Sequence, residues 1–222
     1  MKRGVPLEPH VEARLRELGN VELLVGIPSY NNADTIAHVV RAAATGLAKH
    51  FPGRRAAIVN SDGGSNDGTA EIVAQTELAS PSAVLVSHPV SPVHKILTPY
   101  HGIPGKGSAF RTVFAIADRL QAKACAVVDS DLRSITPEWF ELLLGPIVTQ
   151  GFDYVAPMYL RHRFDGTITN SIVYPLTRAL YGREVRQPIG GEFGFSGRLA
   201  SHYLDKPVWE SDVARFGIDI WM

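Results

Sequence analysis

The sequence predicts an α/β fold in which a mostly parallel central sheet is flanked by helices in a single domain. Short apolar runs alternate along the chain with segments whose apolar residues recur at helical spacing. Polar, glycine-rich segments follow several of these runs, and the carboxyl ends of the strands are where such sheets bind ligands. The chain has 222 residues, which is enough for one large core and too few for two full-sized domains to be the expected arrangement.

The first two predicted units each pair a buried strand with a helix. Residues 23–28 form an apolar run that ends at a proline, and apolar residues at helical spacing follow between 36 and 47. The second unit has a strand at 56–59, a turn-rich stretch and a helix near 69–75. This alternation is typical of parallel strands, which need a crossover connection.

A short amphipathic helix precedes these units, because Val11, Leu15 and Leu18 stand at helical spacing. We expect residues 1–20 to form an N-terminal appendage and residues 21–222 to form the main domain, which we predict to lack its C-terminal end.

The middle of the chain predicts a third strand at 83–86 and a long loop at 87–107. The loop contains four prolines and shows neither the strand nor the helix period, and long loops in compact domains are often functional. A helix from Ala109, a strand at 124–128 and a helix near 137–148 complete the predicted sheet.

Composition excludes several classes of partner. Lys and Arg number 22, as do Asp and Glu, so the overall charge favours neither nucleic acid nor an anionic membrane. We predict no transmembrane segment, because no apolar run approaches the roughly 20 residues needed to span a bilayer. Cys125 is the single cysteine, which excludes an intrachain disulfide and suits the cytoplasm. The oligomeric state is left open, with a homodimer as one option.

Asp129 and Asp131 follow a predicted strand and flank Ser130. In extended backbone their side chains point to the same side, and Mg²⁺ favours one or two carboxylates together with phosphates. The pair predicts a site for Mg²⁺ or Mn²⁺; a solvated strand-end turn is the alternative. Gly105, Lys106 and Gly107 precede the helix from Ala109 and could hold a phosphate, or they could form a plain capped turn without P-loop spacing.

Further polar segments follow the other strands. Ser61 and Asp62, after the second strand, and Tyr30, after the first, are candidates for contacting a nucleoside. Near the C-terminal end, Gly190 and Gly191 bring the backbone close to a small group, and Glu192 could contact sugar hydroxyls. A tight turn with a surface glutamate is the alternative for this last motif.

Together these motifs resemble the GT-A glycosyltransferases. The resemblance rests on Pro-Ser-Tyr-Asn after the first strand, Ser-Asp-Gly-Gly-Ser-Asn-Asp-Gly-Thr after the second, Gly-Lys-Gly and Asp-Ser-Asp. The N-terminal half is also similar to family 2 glycosyltransferases. Gln-Pro-Ile-Gly-Gly-Glu and Phe-Gly-Ile-Asp narrow the likeness to retaining enzymes such as glucosyl-3-phosphoglycerate synthase and mannosylglycerate synthase.

The resemblance implies a role for each matching residue. Pro28, Tyr30, Ser61 and Asp62 would line the nucleoside pocket, and Lys106 would lie close to the diphosphate. Asp131 would bind the metal, with Asp129 beside it near the ribose. Glu192 would hold the donor sugar and Asp219 would face the sugar or the acceptor. A histidine downstream of Asp219 completes the metal site in these relatives, and His202 lies upstream, so we expect a further segment to supply that ligand.

The predicted reaction moves glucose or mannose from a nucleotide-diphosphate sugar to a small acidic acceptor, such as 3-phosphoglycerate or glycerate, with retention. Candidate acceptor-binding residues are Arg161, Arg163, Asn170, Gly190 and Gly191, since guanidinium groups match carboxylate and phosphate geometry. The alternatives are an inverting family-2-like transferase acting on a lipid-linked or polysaccharide acceptor, and a nucleotide-binding module without turnover. A nucleotidylyltransferase is disfavoured, because no glycine-rich, arginine-containing loop follows the first strand.

Overall fold

The computed structural model describes residue 5, residues 7–76, the backbone of 93–99, and residues 105–222 without 161, 163 and the Phe216 side chain. Its sheet has six strands in the order β3-β2-β1-β4-β6-β5. The strand bounds are β1 Leu23–Ser29, β2 Ala56–Asp62, β3 Val93–Pro99, β4 Ala124–Val127, β5 Tyr154–Val155 and β6 Phe193–Ser196.

The predicted mostly parallel sheet is confirmed. Strands β1 to β4 pair in parallel, and β6 pairs antiparallel with both β4 and β5, so among the described strands β6 alone runs in the opposite direction. The carboxyl ends of β1, β2 and β4 therefore meet at one edge of the sheet. In register, Ser29 lies beside Asp62, and Gly26 lies beside Val127 two residues before Asp129.

Helices cover both faces of this sheet. Their bounds are α1 Pro9–Leu18, α2 Ala33–His50, α3 Thr69–Gln75, α4 Lys106–Arg119, α5 Glu138–Gln150, α6 Tyr174–Tyr181, α7 Gly197–Leu204, α8 Val213–Phe216 and α9 Ile218–Trp221. A π-helical turn, Thr169–Val173, leads into α6, and a 3-10 turn spans Pro207–Glu210. None of the described helices is long and apolar enough to cross a membrane.

Two apolar cores hold the layers together. Leu24 of β1 packs with α4 and α7 on one face, whereas Leu23 and Val25 pack with α2 and α5 on the other. This division follows from the alternation of side chains along a strand. Cys125 is buried in the first core with its thiol free, as its apolar surroundings in the sequence indicate.

The N-terminal helix α1 packs against the rest of the described chain. Val11, Leu15 and Leu18 are all buried in the core that contains α4. The Nε atom of Arg119, at the end of α4, also donates to Glu12 Oε1 at 2.7 Å. The helix that this spacing predicts is therefore present with its apolar face covered, and the division between residues 1–20 and 21–222 stays a prediction.

One described segment differs from its predicted structure. β3 lies within the segment predicted to be a loop, and it pairs with β2 along seven residues. The strand was not predicted, because the prolines of this segment argue against a strand. The strand predicted at 83–86 lies outside the described residues.

Candidate functional site

A cleft of about 600 Å³ lies at the carboxyl edge of the sheet. It is lined by residues that follow β1, β2 and β4 and by the start of α4: Pro28, Ser29, Tyr30, Asn32, Gly63, Gly105, Lys106, Ala109, Asp129, Ser130 and Asp131. Its volume is within the range of small-molecule sites, which is about 300–1,000 Å³. Five of the predicted site residues therefore line one cavity.

Side chains join the loops that form the floor of this cleft. The backbone N–H of Asn31 donates to Ser65 Oγ at 2.8 Å, and the N–H of Asn66 donates back to Asn31 Oδ1 at 3.0 Å. Asn31 adopts a φ of 54°, a left-handed conformation that asparagine tolerates better than most residues. The loops after β1 and β2 are thus held as one unit, which positions the neighbouring Tyr30.

Ser61 and Asp62 do not line the cleft. Ser61 is fully buried, and its hydroxyl has no hydrogen-bond partner among the described residues. The Asp62 carboxylate accepts bonds from the hydroxyls of Ser29 and Ser65 and from the N–H groups of Gly64 and Ser65, at 2.6 to 2.9 Å. Because these four bonds occupy the carboxylate, Asp62 shapes the turn that presents Gly63 to the cleft.

Asp129 is held between a lysine and a glycine. Lys106 Nζ lies 2.8 Å from Asp129 Oδ1. On the other side, a Cβ atom built on Gly191 would lie 1.8 Å from Asp129 Oδ2, a distance that real atoms cannot adopt. The glycine at 191 is therefore required by the position of the Asp129 carboxylate, and the motif after residue 187 is more than a surface turn.

Glu192 follows directly and is almost completely buried. Its Oε2 atom accepts a hydrogen bond from the hydroxyl of Tyr159, which belongs to the segment after β5. This contact could not be predicted from the sequence, because the two residues are 33 positions apart and Tyr159 stands in no recognisable motif. Tyr159 also packs against Trp139 of α5, with ring centroids 5.7 Å apart.

Four charged side chains influence one another in this region. Burial opposes the charge on Lys106, but neighbouring carboxylates outweigh it and raise the pKa of the ammonium group. These carboxylates belong, in decreasing order of effect, to Asp129, Asp219 and Glu192. Three carboxylates thus face one cation, giving a net charge of −2 (1 − 3) when all four are ionised.

Burial is the main reason that two of these carboxyls have a raised pKa. It raises the pKa of Glu192, against the lowering effect of the Tyr159 hydrogen bond. It also raises the pKa of Asp219, against the attraction of Lys106. The Asp219 Oδ1 atom is buried without a hydrogen-bond partner among the described residues. Such a concentration of buried acid groups is typical of sites that bind a cation or transfer a proton.

The residue types in the cleft fit a divalent cation held jointly by protein and substrate. Asp129 and Asp131 line the same cavity, although β4 ends at Val127 and both residues lie beyond the strand. The Ser130 hydroxyl donates to Asn32 Oδ1 at 2.7 Å, which fixes this segment against the loop after β1. No cluster of three potential metal ligands occurs among the described residues, so further ligands would be phosphate and water.

Residues 24–196 match the protein family described as glycosyl transferase family 2. The chain belongs to this family. The match extends well beyond the N-terminal half in which the sequence motifs first suggested it. A search of curated proteins found no match to the chain.

Several solved structures share the fold of this family 2 chain. Glucosyl-3-phosphoglycerate synthase from Mycobacterium tuberculosis, solved with Mn²⁺, UDP and phosphoglyceric acid, is 23% identical, with a TM-score of 0.62 over 83% of this chain and 60% of that chain. Mannosyl-3-phosphoglycerate synthase from Rubrobacter xylanophilus is 24% identical, with a TM-score of 0.59 over 87% and 58%. The predicted GT-A fold is confirmed, and the chain spans about 60% of the length of these proteins.

The glycines at the start of α4 also contact protein backbone. A Cβ on Gly105 would lie 2.8 Å from the Cα of Arg215, and one on Gly107 would lie 2.3 Å from the carbonyl oxygen of Ala214. In this family 2 chain the Gly-Lys-Gly motif therefore lets α8 approach α4 closely. That packing leads directly into α9, which carries Asp219 towards Lys106.

Three of the five predicted acceptor-binding residues belong to the described part of the chain. Arg161 and Arg163 lie outside the described residues. Asn170 is exposed in the π-helical turn and donates to the carbonyl of Asp165 at 3.2 Å. Gly190 lies against the side chain of Gln187, and Gly191 against Asp129, so both contribute backbone shape. His202 lies on α7 beside Tyr203, with ring centroids 6.5 Å apart.

Proposed function

We propose that this family 2 chain is the catalytic core of a metal-dependent glycosyltransferase that transfers glucose or mannose from a nucleotide-diphosphate sugar with retention of configuration. The observation that carries the proposal is the position of Asp129, which Lys106 and Gly191 hold at the end of β4. This arrangement places a carboxylate and an ammonium group side by side in the cleft. The carboxylate can bind a metal ion, and the ammonium group can attract the diphosphate that the metal ion accompanies.

The donor nucleotide would occupy the cleft at the sheet edge. Tyr30 and Pro28 would contact the nucleoside, while Asp131 and Asp129 would hold Mg²⁺ or Mn²⁺ against the diphosphate. The bound cation would supply charge neutralisation for the departing diphosphate. UDP with Mn²⁺ or Mg²⁺ in the glucosyl-3-phosphoglycerate synthase structures supports this assignment.

The buried carboxylates would act on the sugar. Glu192 would orient the donor sugar and stabilise positive charge at its anomeric carbon, and Tyr159 would hold Glu192 in place. Lys106 would stabilise the negative charge on the leaving oxygen. Retention would follow if the acceptor attacks the face from which the diphosphate leaves, with a phosphate oxygen taking the acceptor's proton.

We further propose a small hydroxy acid as the acceptor, of which 3-phosphoglycerate and glycerate are examples. Arg161 and Arg163 would bind its acidic group, as their residue type suggests, and Asn170 would add a polar contact. Phosphoglyceric acid in the related synthase supports an acidic acceptor.

Metal-dependent nucleotide binding tests the donor assignment. UDP-, GDP- and ADP-sugars, each with and without Mn²⁺, would be compared for their effect on the melting temperature. We expect one of them to stabilise the protein by several degrees only when Mn²⁺ is present. An Asp131→Asn variant should lose this shift, and an Asp165→Asn variant, which changes a carboxylate outside the cleft lining, should keep it. The proposal fails if no nucleotide stabilises the protein under either condition.

An inverting transferase is the second candidate, and one observation favours it. Glu192 is a buried carboxyl with a raised pKa that also lines a second cavity, as a general base for an acceptor would. NMR of the anomeric proton in the first product distinguishes the two reactions, because an α-linked donor gives an α-product only with retention.

A further inference from the structure

A second cavity, of about 780 Å³, lies beside the charged cluster. It shares none of the residues that line the nucleotide cleft, but Glu192 and Tyr159 form part of its wall. Its volume suits a small molecule. Since Glu192 is proposed to hold the donor sugar, this cavity would lie next to the anomeric carbon that the acceptor attacks.

The walls of the second cavity are mainly apolar and exposed. Leu142, Met158 and Leu160 line it with exposed fractions of 68%, 72% and 98%. Apolar surface concentrated in a concave region is a sign of a binding site, whereas single exposed apolar residues are common. The cavity therefore offers contact area to a ligand that is itself apolar.

Charge in the second cavity disfavours an acceptor that is only acidic. None of the described residues that line it is a lysine or an arginine, and its ionisable groups are Glu192 and Tyr159. A carboxylate or phosphate inside would face Glu192, and no described residue of the cavity wall carries a positive charge to offset the repulsion. The described wall therefore favours an orientation in which an acidic group on the acceptor points out of the cavity.

Aromatic rings connect the apolar wall to the reacting region. Trp139 and Tyr159 lie with ring centroids 5.7 Å apart, and the Tyr159 hydroxyl donates to Glu192. A ring or chain packed against this pair would bring a neighbouring hydroxyl close to Glu192. The same wall thus could set both the affinity and the orientation of an acceptor.

We propose that the second cavity binds an apolar group of the acceptor, an aromatic ring or an alkyl chain. The proposal rests on the glycosyl transfer proposed above, and it favours a hydroxy acid with an apolar body over glycerate and 3-phosphoglycerate as the acceptor of that reaction. In the reaction, the acceptor hydroxyl oxygen bonds to the anomeric carbon and the bond between that carbon and the diphosphate oxygen breaks. The hydroxyl proton goes to the departing diphosphate.

Three hydroxy acids that differ only in their apolar part test this assignment: lactate, 3-phenyllactate and 2-hydroxyoctanoate. Their affinities would be measured by ligand-observed saturation-transfer NMR, so that the result does not depend on turnover. The protein would carry Mn²⁺ and whichever nucleoside diphosphate stabilises it, or neither if none does. We expect phenyllactate or hydroxyoctanoate to bind at least tenfold more tightly than lactate, and the better of the two distinguishes a ring site from a chain site.

Variants of exposed residues keep the fold intact while changing the cavity. Met158→Lys and Leu142→Glu should each remove the tenfold preference. Leu180→Lys, at a residue on α6 that is 65% exposed and outside the cavity lining, should retain it. Met158→Lys should leave the thermal shift caused by nucleotide and Mn²⁺ unchanged.

Each contrary result has a separate meaning. Equal affinities for the three acids, or a preference that survives Met158→Lys and Leu142→Glu, overturn the apolar acceptor site and leave the donor assignment standing. If the parent protein binds no nucleotide but still prefers the apolar acids, the proposed function fails and the apolar site stands. Sedimentation of the Leu142→Glu variant tests whether a second copy covers the cavity, and a change from dimer to monomer without an effect on acid binding also overturns the proposal.

Discussion

Gly191 lies so close to Asp129 that the carboxylate occupies the space where a side chain at 191 would begin. A Cβ atom there would be 1.8 Å from Asp129 Oδ2. The contact joins the segment before β6 to the segment after β4. These two strands are antiparallel neighbours in the sheet. The position of Asp129 is therefore set from two directions, by this backbone and by Lys106.

Gly191→Ala should consequently weaken metal-dependent nucleotide binding while preserving the fold. The Asp129 carboxylate is the end of a side chain and can rotate away, so the cost falls on the site. We expect at least a tenfold loss of nucleotide affinity with Mn²⁺, or about 1.4 kcal/mol, measured by titration calorimetry. Gly145→Ala is the matched control, since no described atom outside its own stretch of α5 lies within 4 Å of its Cβ position. Unchanged affinity in Gly191→Ala would contradict the assigned role of Asp129.

Lys106→Met should have opposite effects on the metal and on the nucleotide. Methionine retains an apolar chain over the ring of Phe110 but removes the charge paired with Asp129. Asp129, released from its ion pair, should then bind Mn²⁺ alone more tightly together with Asp131, whereas a nucleoside diphosphate should bind about tenfold more weakly. Lys106→Arg, which keeps the charge, provides the comparison. Parallel losses for both ligands would show that the variant simply disturbs the cleft.

The sequence predicted the elements whose patterns are local. β1, β2 and β4 are apolar runs followed by polar residues, and their helices show the helical period, so the cleft at their ends was predictable. β6 was not predicted, because its four residues include Gly194 and its strand character comes from pairing with β4. The Glu192–Tyr159 bond likewise depends on the packing of distant segments, which no motif records.

The burial of α1 is a second case in which the sequence showed the helix but not its partner, and it yields a stability prediction. Leu15 is 5% exposed and packs in the same core as Phe114. Leu15→Ala should lower the free energy of unfolding by about 2–5 kcal/mol, the usual cost of emptying a core position. Urea unfolding would measure this change, with the exposed Arg14→Ala as control. A loss below about 0.5 kcal/mol would support the prediction that residues 1–20 form an appendage.

Arg161 and Arg163 remain predicted from the sequence as acceptor ligands, and steady-state kinetics can examine them. Replacing both with alanine should raise the KM of an acidic acceptor at least tenfold, because charge-assisted bonds to a carboxylate or phosphate contribute about 1.5–3 kcal/mol each. The KM of the donor should change less than twofold. Equal increases for both substrates would point to a general disturbance and against acceptor binding. Arg183→Ala, an exposed arginine after α6, is a suitable control.

Because the Glu192 carboxyl is buried, we expect that replacing it with a neutral side chain raises the free energy of unfolding at neutral pH. Because burial raises its pKa in the fold, the protonated form contributes stability below the unfolded pKa, and this contribution is lost as the pH rises through the folded pKa. Glu192→Gln keeps the side chain neutral, so it should be more stable than the parent at about pH 7.5 and equal to it near pH 4.

Glu138 provides a control of opposite sign in the same unfolding experiment. Lys49 and, to a smaller extent, Thr136 donate hydrogen bonds that lower the pKa of Glu138 to about 2. Its stabilising contribution is therefore present above the unfolded pKa and is lost as the pH falls through the folded pKa. Glu138→Gln should thus be less stable than the parent at neutral pH, with the difference shrinking in acid. If Glu192→Gln also lost stability at neutral pH, the Tyr159 hydrogen bond and the charge of Lys106 would outweigh burial, and Glu192 would be ionised in the resting site.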